Sequence, residues 1–252
     1  MSLARNVSTG LLMLALTSAA AHAVVIKEER VPGGALEQTW IPGFGVGRSF
    51  TPLTLSGADP AIPNPSGDNT VAVLQNVDIN LGGIAACATD PNGYADYTWE
   101  ADFFTGAGDT RRGLILRADP SNGLQTFYQF VINAGLFTIR FRKFVAGAPV
   151  VPDLASWPAT VLPAGVPTTN SWHHLRVDAF QNTFDCWFDG VKLNATPIVD
   201  ATAPILTGWV GAYNFSASVG EVPVYFDSMK LSFPGATPTH GKTWAALKRL
   251  YK

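Results

Sequence analysis

The chain has 252 residues, of which 47% are hydrophobic and 14% are charged, with 24 glycines and 18 prolines. This composition excludes a disordered chain and indicates a compact, turn-rich protein. The formal net charge is −2, yet residues 228–252 hold five cations and no acid, so the preceding chain is acidic. An acidic body argues against nucleic acid as the main partner.

The first 23 residues have the layout of a secretory signal peptide. Arg5 precedes the apolar run Leu11–Leu16, and Ala21-His22-Ala23 follows as a small-x-small cleavage site. The apolar run is shorter than the about 20 residues that span a bilayer. We therefore expect a secreted, periplasmic or cell-surface protein without a transmembrane segment; the alternative is a buried N-terminal helix.

Strand-like runs separated by turn signals dominate the chain from about residue 70 onward, and two shorter candidate strands lie near residues 36–41 and 50–55. The main predicted strands are Thr70–Val77, Tyr97–Phe104, Arg112–Arg117, Thr126–Asn133, Leu136–Phe141, Trp172–Phe180, Thr183–Asp189, Leu206–Tyr213 and Val222–Phe233. Such spacing with little helical periodicity predicts one all-β sandwich or barrel over residues 24–234. The proline-rich segment 144–170 is predicted to be a long loop at an edge or rim.

Alternation along each strand assigns its side chains to two faces, because successive residues point to opposite sides of a sheet. Side chains expected in the core are Trp99, Ala101, Phe103, Leu114, Leu116, Phe137, Ile139, Phe141, Leu175, Val177, Phe184, Cys186 and Phe188. Side chains expected to face outward are Glu100, Asp102, Arg117, Arg140, Arg142, His174, Arg176 and Trp187. Since His173 and His174 are adjacent, they face opposite ways and cannot chelate one ion together.

Four segments carry a family resemblance. They are N-S-W-H-H-L-R-V at 170–177, C-W-F-D-G-V-K-L at 186–193, G-W-V-G-A-Y at 208–213 and V-Y-F-D-S-M-K-L at 224–231. The chain from Thr70 to Phe233 resembles the concanavalin A-like lectin/glucanase superfamily in its laminin-G-like jelly-roll branch. The resemblance implies a jelly-roll sandwich of two curved antiparallel sheets, often with a sugar or protein ligand on the concave face or the rim loops.

The same superfamily includes glycoside hydrolases, which use paired carboxylates. The resemblance makes Glu100 and Asp102 the candidate catalytic pair, but Phe104 stands where the third acid of the E-x-D-x-E pattern would be. If Arg117, Arg140 and Arg142 lie on the same sheet as these acids, cross-strand ion pairs account for both acids without catalysis.

Binding without chemistry is therefore the first functional expectation, namely a secreted protein that binds carbohydrate or another extracellular ligand. A glycoside hydrolase or polysaccharide lyase, and a structural or adhesive surface protein, are the alternatives. Aromatic rings stack on sugars, and arginine or amide groups bind their hydroxyls. The candidate ligand-binding residues are Trp187, Arg117, Arg140, Arg142, Arg176 and Gln129.

Cysteine and acidic residues add weaker expectations. Cys87 and Cys186 form either one disulfide or two buried free thiols. Without a Cys/His ligand cluster, a structural zinc site is not expected. No cofactor is required, but calcium stays open at three aspartates in or near turns, Asp90, Asp109 and Asp119.

The last residues, 235–252, form a basic tail whose apolar residues recur at helical spacing. They predict either a short terminal helix on the domain or a sorting or attachment segment.

Overall fold

Alternating apolar side chains and closely spaced turns make most of the described chain fold as β-strands. The structure is a computed structural model and describes residues 24–43, 48–76, 82–87, 93–104, 110–133, 138–162, 170–216 and 223–233. All of these belong to the unit Ala23–Pro234, whereas the predicted signal peptide and the basic tail lie outside the described residues. Within the described ranges, no helix is long and apolar enough to cross a membrane.

Seventeen strands and three short 3-10 helices account for the regular structure of the described residues. The strands are β1 Val24–Glu29, β2 Trp40–Gly43, β3 Arg48–Thr54, β4 Thr70–Asn76, β5 Gly83–Cys87, β6 Tyr97–Phe104, β7 Thr110–Ala118, β8 Phe127–Asn133, β9 Thr138–Val145, β10 Ala148–Pro149, β11 Ala155–Pro158, β12 Trp172–Phe180, β13 Thr183–Phe188, β14 Val191–Lys192, β15 Ile198–Val199, β16 Trp209–Ser216 and β17 Val224–Phe233. The 3-10 helices are Pro32–Gly34, Pro120–Asn122 and Ala159–Val161. The all-β prediction is confirmed, and the predicted bounds of β6 and β12 match the observed strands.

Two antiparallel sheets form a jelly-roll sandwich, as the sequence predicted. The first sheet has the order β14-β13-β12-β6-β17-β4-β3, with β1 also paired to β17 and β15 to β13. The second sheet has the order β10-β9-β8-β7-β16-β5-β2, with β11 also paired to β9. The proline-rich segment predicted as a loop therefore contributes two short strands, β10 and β11, which pair with β9.

The main core lies between the sheets, where the predicted alternation is confirmed for every described residue except Arg117; Phe137, also predicted in the core, lies outside the described residues. Trp99, Ala101 and Phe103 of β6 are buried, and so are Leu175 and Val177 of β12. Complete burial of a Phe or Leu side chain contributes roughly 1.5–3 kcal/mol, so these positions dominate the stability of the sandwich.

The outer face of the second sheet carries a further apolar cluster, and part of the outer face of the first sheet carries another, which contains Val71, Val73 and Phe104. A second buried cluster contains Ile115 of β7, Val131 of β8 and Tyr213 of β16, all on the side of the second sheet that faces away from the main core. Phe127 and Phe144 stack in the same cluster with ring centroids 4.8 Å apart. The second sheet therefore carries buried apolar side chains on both of its sides.

Arg117 was predicted to face outward, and this prediction is wrong. A β-bulge interrupts the pairing of β7 with β16, because Ile115 pairs with Gly211 but Ala118 pairs with Trp209. Arg117 lies in the bulge with φ of 52° and its side chain is 0% exposed. An inserted residue shifts the alternation, which turns the guanidinium into the end of the sandwich.

Buried hydrogen bonds fix the chain that closes this end of the sandwich. The Arg117 guanidinium donates to the carbonyl oxygens of Ile205 at 2.7 Å and Ala95 at 2.8 Å. Close by, Lys143 Nζ forms a 2.7 Å ion pair with Asp200, whose carboxylate also accepts from the Tyr128 hydroxyl at 2.6 Å. Arg117 and Lys143 are therefore structural anchors rather than ligand-facing cations.

Cys87 and Cys186 are both buried free thiols, so the disulfide that the sequence left open is not formed. Cys87 lies in β5 of the second sheet, which packs against β3 and β4 at one side of the sandwich. Cys186 lies in β13, four strands away from β4 across the first sheet, which is about 19 Å at the usual strand spacing. A disulfide needs Cα atoms within about 7 Å. Burial also raises the pKa of both thiols, that of Cys87 to about 11.

Candidate functional site

The predicted ligand-binding residues separate into three groups in the structure. Arg176 and Trp187 are cross-strand neighbours on the outer face of the first sheet. Gln129, Arg140 and Arg142 lie on β8 and β9, on the outer face of the second sheet. Arg117, the sixth candidate, is buried at the end of the sandwich. Two surfaces therefore compete as the site.

The outer face of the first sheet, here called the charged face, places the predicted catalytic pair around one histidine. Glu100 and Asp102 of β6 lie opposite β12, and His174 Nδ1 is 2.8 Å from Asp102 Oδ1. Nε2 of the same ring is 3.6 Å from Glu100 Oε2, and Lys230 of β17 forms an ion pair with Glu100 Oε1. The imidazole thus bridges the two carboxylates. The partners are His174 and Lys230, not the arginines that the sequence favoured, since those lie on the other sheet.

Charge pairing shifts the protonation equilibria of this group strongly. Burial alone would raise the pKa of Glu100, but hydrogen bonds from His174 and Lys230 and their positive charges lower it to about 2. Burial alone would lower the pKa of His174, but hydrogen bonds and charges of Asp102 and Glu100 raise it to about 9. Near neutral pH the histidine is therefore an imidazolium and Glu100 a carboxylate, which holds no proton for general acid catalysis.

Trp187 and Arg176 are also engaged within the charged face. The guanidinium of Arg176 lies 4.7 Å from the Trp187 ring centroid and binds both carboxylate oxygens of Asp178, at 3.0 and 2.9 Å. Lys192 lies on the same ring at 5.4 Å and pairs with Asp185 at 2.9 Å. These contacts leave the charged face internally compensated, which is typical of a solvated outer sheet surface.

The outer face of the second sheet, here called the arginine face, combines arginine, amide and aromatic side chains. Arg142 lies opposite Gln129 in the pairing of β9 with β8, and Arg140 lies opposite Val131. Residues two apart on one strand share a face about 7 Å apart, so the two arginines form one row. Aromatic and further cationic side chains of the same face are Phe127, Phe144, Trp209, Tyr213, Phe215 and Arg111, the last of which lies 4.5 Å from the Phe215 ring centroid.

One carboxylate serves both arginines of this row. Asp153, in the segment between β10 and β11, accepts from Arg142 Nε at 2.7 Å and lies 3.6 Å from Arg140 Nη1. The Arg140 side chain stays 25% exposed, whereas that of Arg142 is 9% exposed and lies 5.4 Å from the Phe144 ring centroid. Arg140 is therefore the more open cation of the row.

Gln129 lies beside this row with its amide unsatisfied. Its side chain is 0% exposed, and neither its amide oxygen nor its amide nitrogen has a hydrogen-bond partner among the described residues. Burial raises the pKa of the nearby Tyr213 phenol, and the Gln129 amide partly offsets that increase. The two groups are nevertheless not aligned for a hydrogen bond. An orphaned buried amide costs about 1–3 kcal/mol, so a ligand that pairs with it would recover that energy.

The calcium candidates gain no support from the described residues. The Asp119 carboxylate caps the 3-10 helix Pro120–Asn122 by accepting from Ser121 N at 2.8 Å and Ser121 Oγ at 2.7 Å. Asp90 and Asp109 lie outside the described residues. In the described ranges no group of three or more His, Cys, Asp or Glu side chains could hold a metal ion.

An open pocket of about 370 Å³ lies beside Asp119 at the end of the sandwich. Its lining residues are Asp119, Pro120, Ser121, Thr126, Ile205, Leu206, Thr207 and Gly208. No arginine lines it, and its carboxylate is already used as a helix cap, so it is a weaker candidate than the arginine face.

Comparison with known proteins defines the fold more closely than the family. Neither the protein-family models nor the curated proteins match this chain. Solved structures do match. A carbohydrate binding module CBM66 from Bacillus subtilis has a TM-score of 0.54 at 18% identity, covering 78% of this chain and 97% of that one. A protein of unknown function with a galectin-like fold from Bacillus subtilis gives 0.54 at 11% identity, covering 83% and 96%.

The cellulose induced protein Cip1 gives a TM-score of 0.51 at 12% identity, covering 81% of this chain and 96% of that chain. The fold is a lectin-like jelly roll. Identities this low establish only the fold, and they do not place the chain in the laminin-G-like branch that the sequence resembled.

Several residues of the two faces were missed as site residues by sequence reasoning. His174 was recognised only as an outward histidine, because its partners Glu100 and Asp102 are more than 70 residues away in the chain. Tyr213 and Phe215 were not singled out on β16 of the jelly roll. Their alternation along the strand was a usable signal, since it separates them from the core residue Ala212.

Proposed function

We propose that this protein is an exported carbohydrate-binding protein whose binding site is the arginine face. The observation that carries the proposal is the fully buried Gln129 amide, which has no hydrogen-bond partner among the described residues beside two arginines that share one carboxylate. Sugar hydroxyls both donate and accept hydrogen bonds, so they suit an amide, which offers both roles, and the guanidinium groups, which donate. Of the aromatic rings of the face, Phe127, Phe144 and Tyr213 are buried, whereas the partly buried Trp209 and Phe215 supply apolar area for stacking.

Three further observations support this choice of face and function. On the charged face, Glu100, Asp102, Arg176 and Lys192 all have partners of opposite charge, which a ligand would have to displace. Solved structures of similar fold include a carbohydrate binding module and a protein of unknown function with a galectin-like fold. The signal-peptide layout of residues 1–23 supports export to a compartment where polysaccharides are met.

The test is binding to a panel of soluble neutral and acidic polysaccharides, measured by titration calorimetry, for the wild type and Gln129→Leu. Since the substitution removes an orphaned amide, we expect unchanged or higher thermal stability together with loss of binding. Gln75→Leu is the matched control, because Gln75 lies on β4 in the first sheet and bonds Ser49 there.

Trp187→Ala tests the competing surface. We expect it to bind carbohydrate like the wild type. Loss of binding in Trp187→Ala with full binding in Gln129→Leu would place the site on the charged face and refute the assignment. Absence of binding by the wild type to every polysaccharide of the panel would refute the function itself.

A hydrolase of the same fold remains the alternative function, but the geometry favours it less. Glu100 with a pKa of about 2 stays charged at neutral pH, and its oxygens are taken by His174 and Lys230. Release of reducing sugar by the wild type, abolished in Glu100→Gln, would establish hydrolysis instead. Attachment through residues 235–252 stays a separate proposal, tested by deleting them and locating the protein.

A further inference from the structure

We propose that the arginine face selects an acidic polysaccharide, one whose sugars carry carboxylate or sulfate groups. This inference rests on the proposed carbohydrate binding and adds the chemical class of the ligand. It is carried by the charge of the row formed by Arg140 and Arg142, by the open hydrogen-bonding capacity of Arg140, and by the neighbouring Gln129 amide.

Positive charge is in excess within this row. Arg140 and Arg142 share the single carboxylate of Asp153, which is bonded at 2.7 Å to Arg142 but lies 3.6 Å from Arg140. The strands β5, β7, β8, β9 and β16, which build the described part of the face, place no Asp or Glu on it. One guanidinium therefore lacks a carboxylate of its own, on a chain whose body is otherwise acidic.

Arg140 retains unused donors. A guanidinium offers five N–H donors in a planar fork. The only ion pair of Arg140 in the described structure is the long contact to Asp153, and its buried Nε has no hydrogen-bond partner. A partly buried guanidinium whose one ion pair is long keeps donors to spare, and an anionic oxygen is the group that satisfies them best.

The geometry of the neighbours fits an acidic sugar better than a free anion. Gln129 lies directly opposite Arg142 and diagonally opposite Arg140, within reach of one bound group. An oxyanion at Arg140 would leave the Gln129 amide free to pair with a hydroxyl of the same ring. The partly buried rings of the same face, Trp209 and Phe215, offer apolar contact that a small inorganic anion cannot use. A ligand of opposite charge to the arginine row has the required complementarity.

The experiment compares a polyuronate, its carboxyl-reduced neutral form, a sulfated dextran and plain dextran, each titrated into the full chain. We expect tighter binding to a charged polymer than to its neutral partner by about tenfold or more, with affinity that falls as salt is added. Comparison of the polyuronate with the sulfated dextran shows whether carboxylate or sulfate is the preferred group.

Variants assign the effect to the arginine row. Arg140→Gln should abolish the preference for the charged polymer, while Arg176→Gln, the same substitution on the charged face, should leave it intact. Thermal unfolding of each variant checks that it is folded.

Equal affinity for charged and neutral polymers, or a preference that survives in Arg140→Gln, would overturn the acidic-ligand inference while leaving carbohydrate binding intact. Failure of the wild type to bind any of the polymers and any polysaccharide of the wider panel would instead refute the proposed function.

Discussion

Deprotonation of His174 should weaken the protein measurably, because its imidazolium bridges two carboxylates. Its pKa is raised from 6.5 to about 9, so its stabilisation is fully present below pH 6.5 and is lost as the pH rises through 9. One pKa unit corresponds to about 1.4 kcal/mol, so this difference would be roughly 3 kcal/mol. The side chain is 34% exposed, and solvent screening reduces the expected contribution to about 1–2 kcal/mol.

The assay is urea unfolding of the wild type and His174→Gln at about pH 6 and about pH 10. The wild type should have the larger free energy of unfolding, and its advantage over the variant should be about 1–2 kcal/mol greater at about pH 6 than at about pH 10. The contributions of other titrating groups cancel, because they are the same in both proteins. Arg176→Gln is the control, since it removes a positive charge from the same face but keeps His174. An imidazole that titrates near 6.5 in NMR, or a difference independent of pH, would refute the bridging role.

Three further predictions concern the core and the ends of the sandwich. Lys143→Met leaves the Asp200 carboxylate buried without its cation, so urea unfolding should show a free energy of unfolding lower by about 3–5 kcal/mol. Adding Asp200→Asn should restore part of that stability, whereas strictly additive losses in the double variant would contradict the pairing of the two residues. Cys87 and Cys186 should react with a thiol reagent only after unfolding, and a reductant should leave Tm unchanged; a drop in Tm with reductant would reveal a disulfide. Gly113→Ala places a Cβ against a neighbouring backbone carbonyl oxygen at φ of 153°, and a loss of about 1–3 kcal/mol or more is expected by the same unfolding assay; wild-type stability would show that the sheet relaxes there.

The core of the fold was predictable because strands with one buried face have little freedom of register. Trp99 and Phe103 could be placed inside by counting alternate residues, and they are. The same counting failed at Arg117, where the bulge adds one residue and reverses the faces. It also missed β5, whose sequence G-I-A-A-C is mostly small residues with low strand propensity, although all five residues are buried.

The candidate site was predictable only as a set of residue types. Which outward residues meet depends on strand order, and the first sheet brings β6 between β12 and β17 from distant parts of the sequence. Glu100 therefore finds His174 and Lys230, whereas Arg140 and Arg142 lie on the opposite sheet. The periodicity of one strand carries no information about which strands become its neighbours in the sheet.

The position of β17 also constrains how the protein can be made. This strand, Val224–Phe233, lies in the middle of the first sheet and pairs with β6, β4 and β1, yet the ribosome delivers it after the other sixteen described strands. Until then β1 has no partner in that sheet, and β4 is not joined to β6. The first sheet therefore closes late, through contacts between distant parts of the sequence, which is characteristic of slow folding.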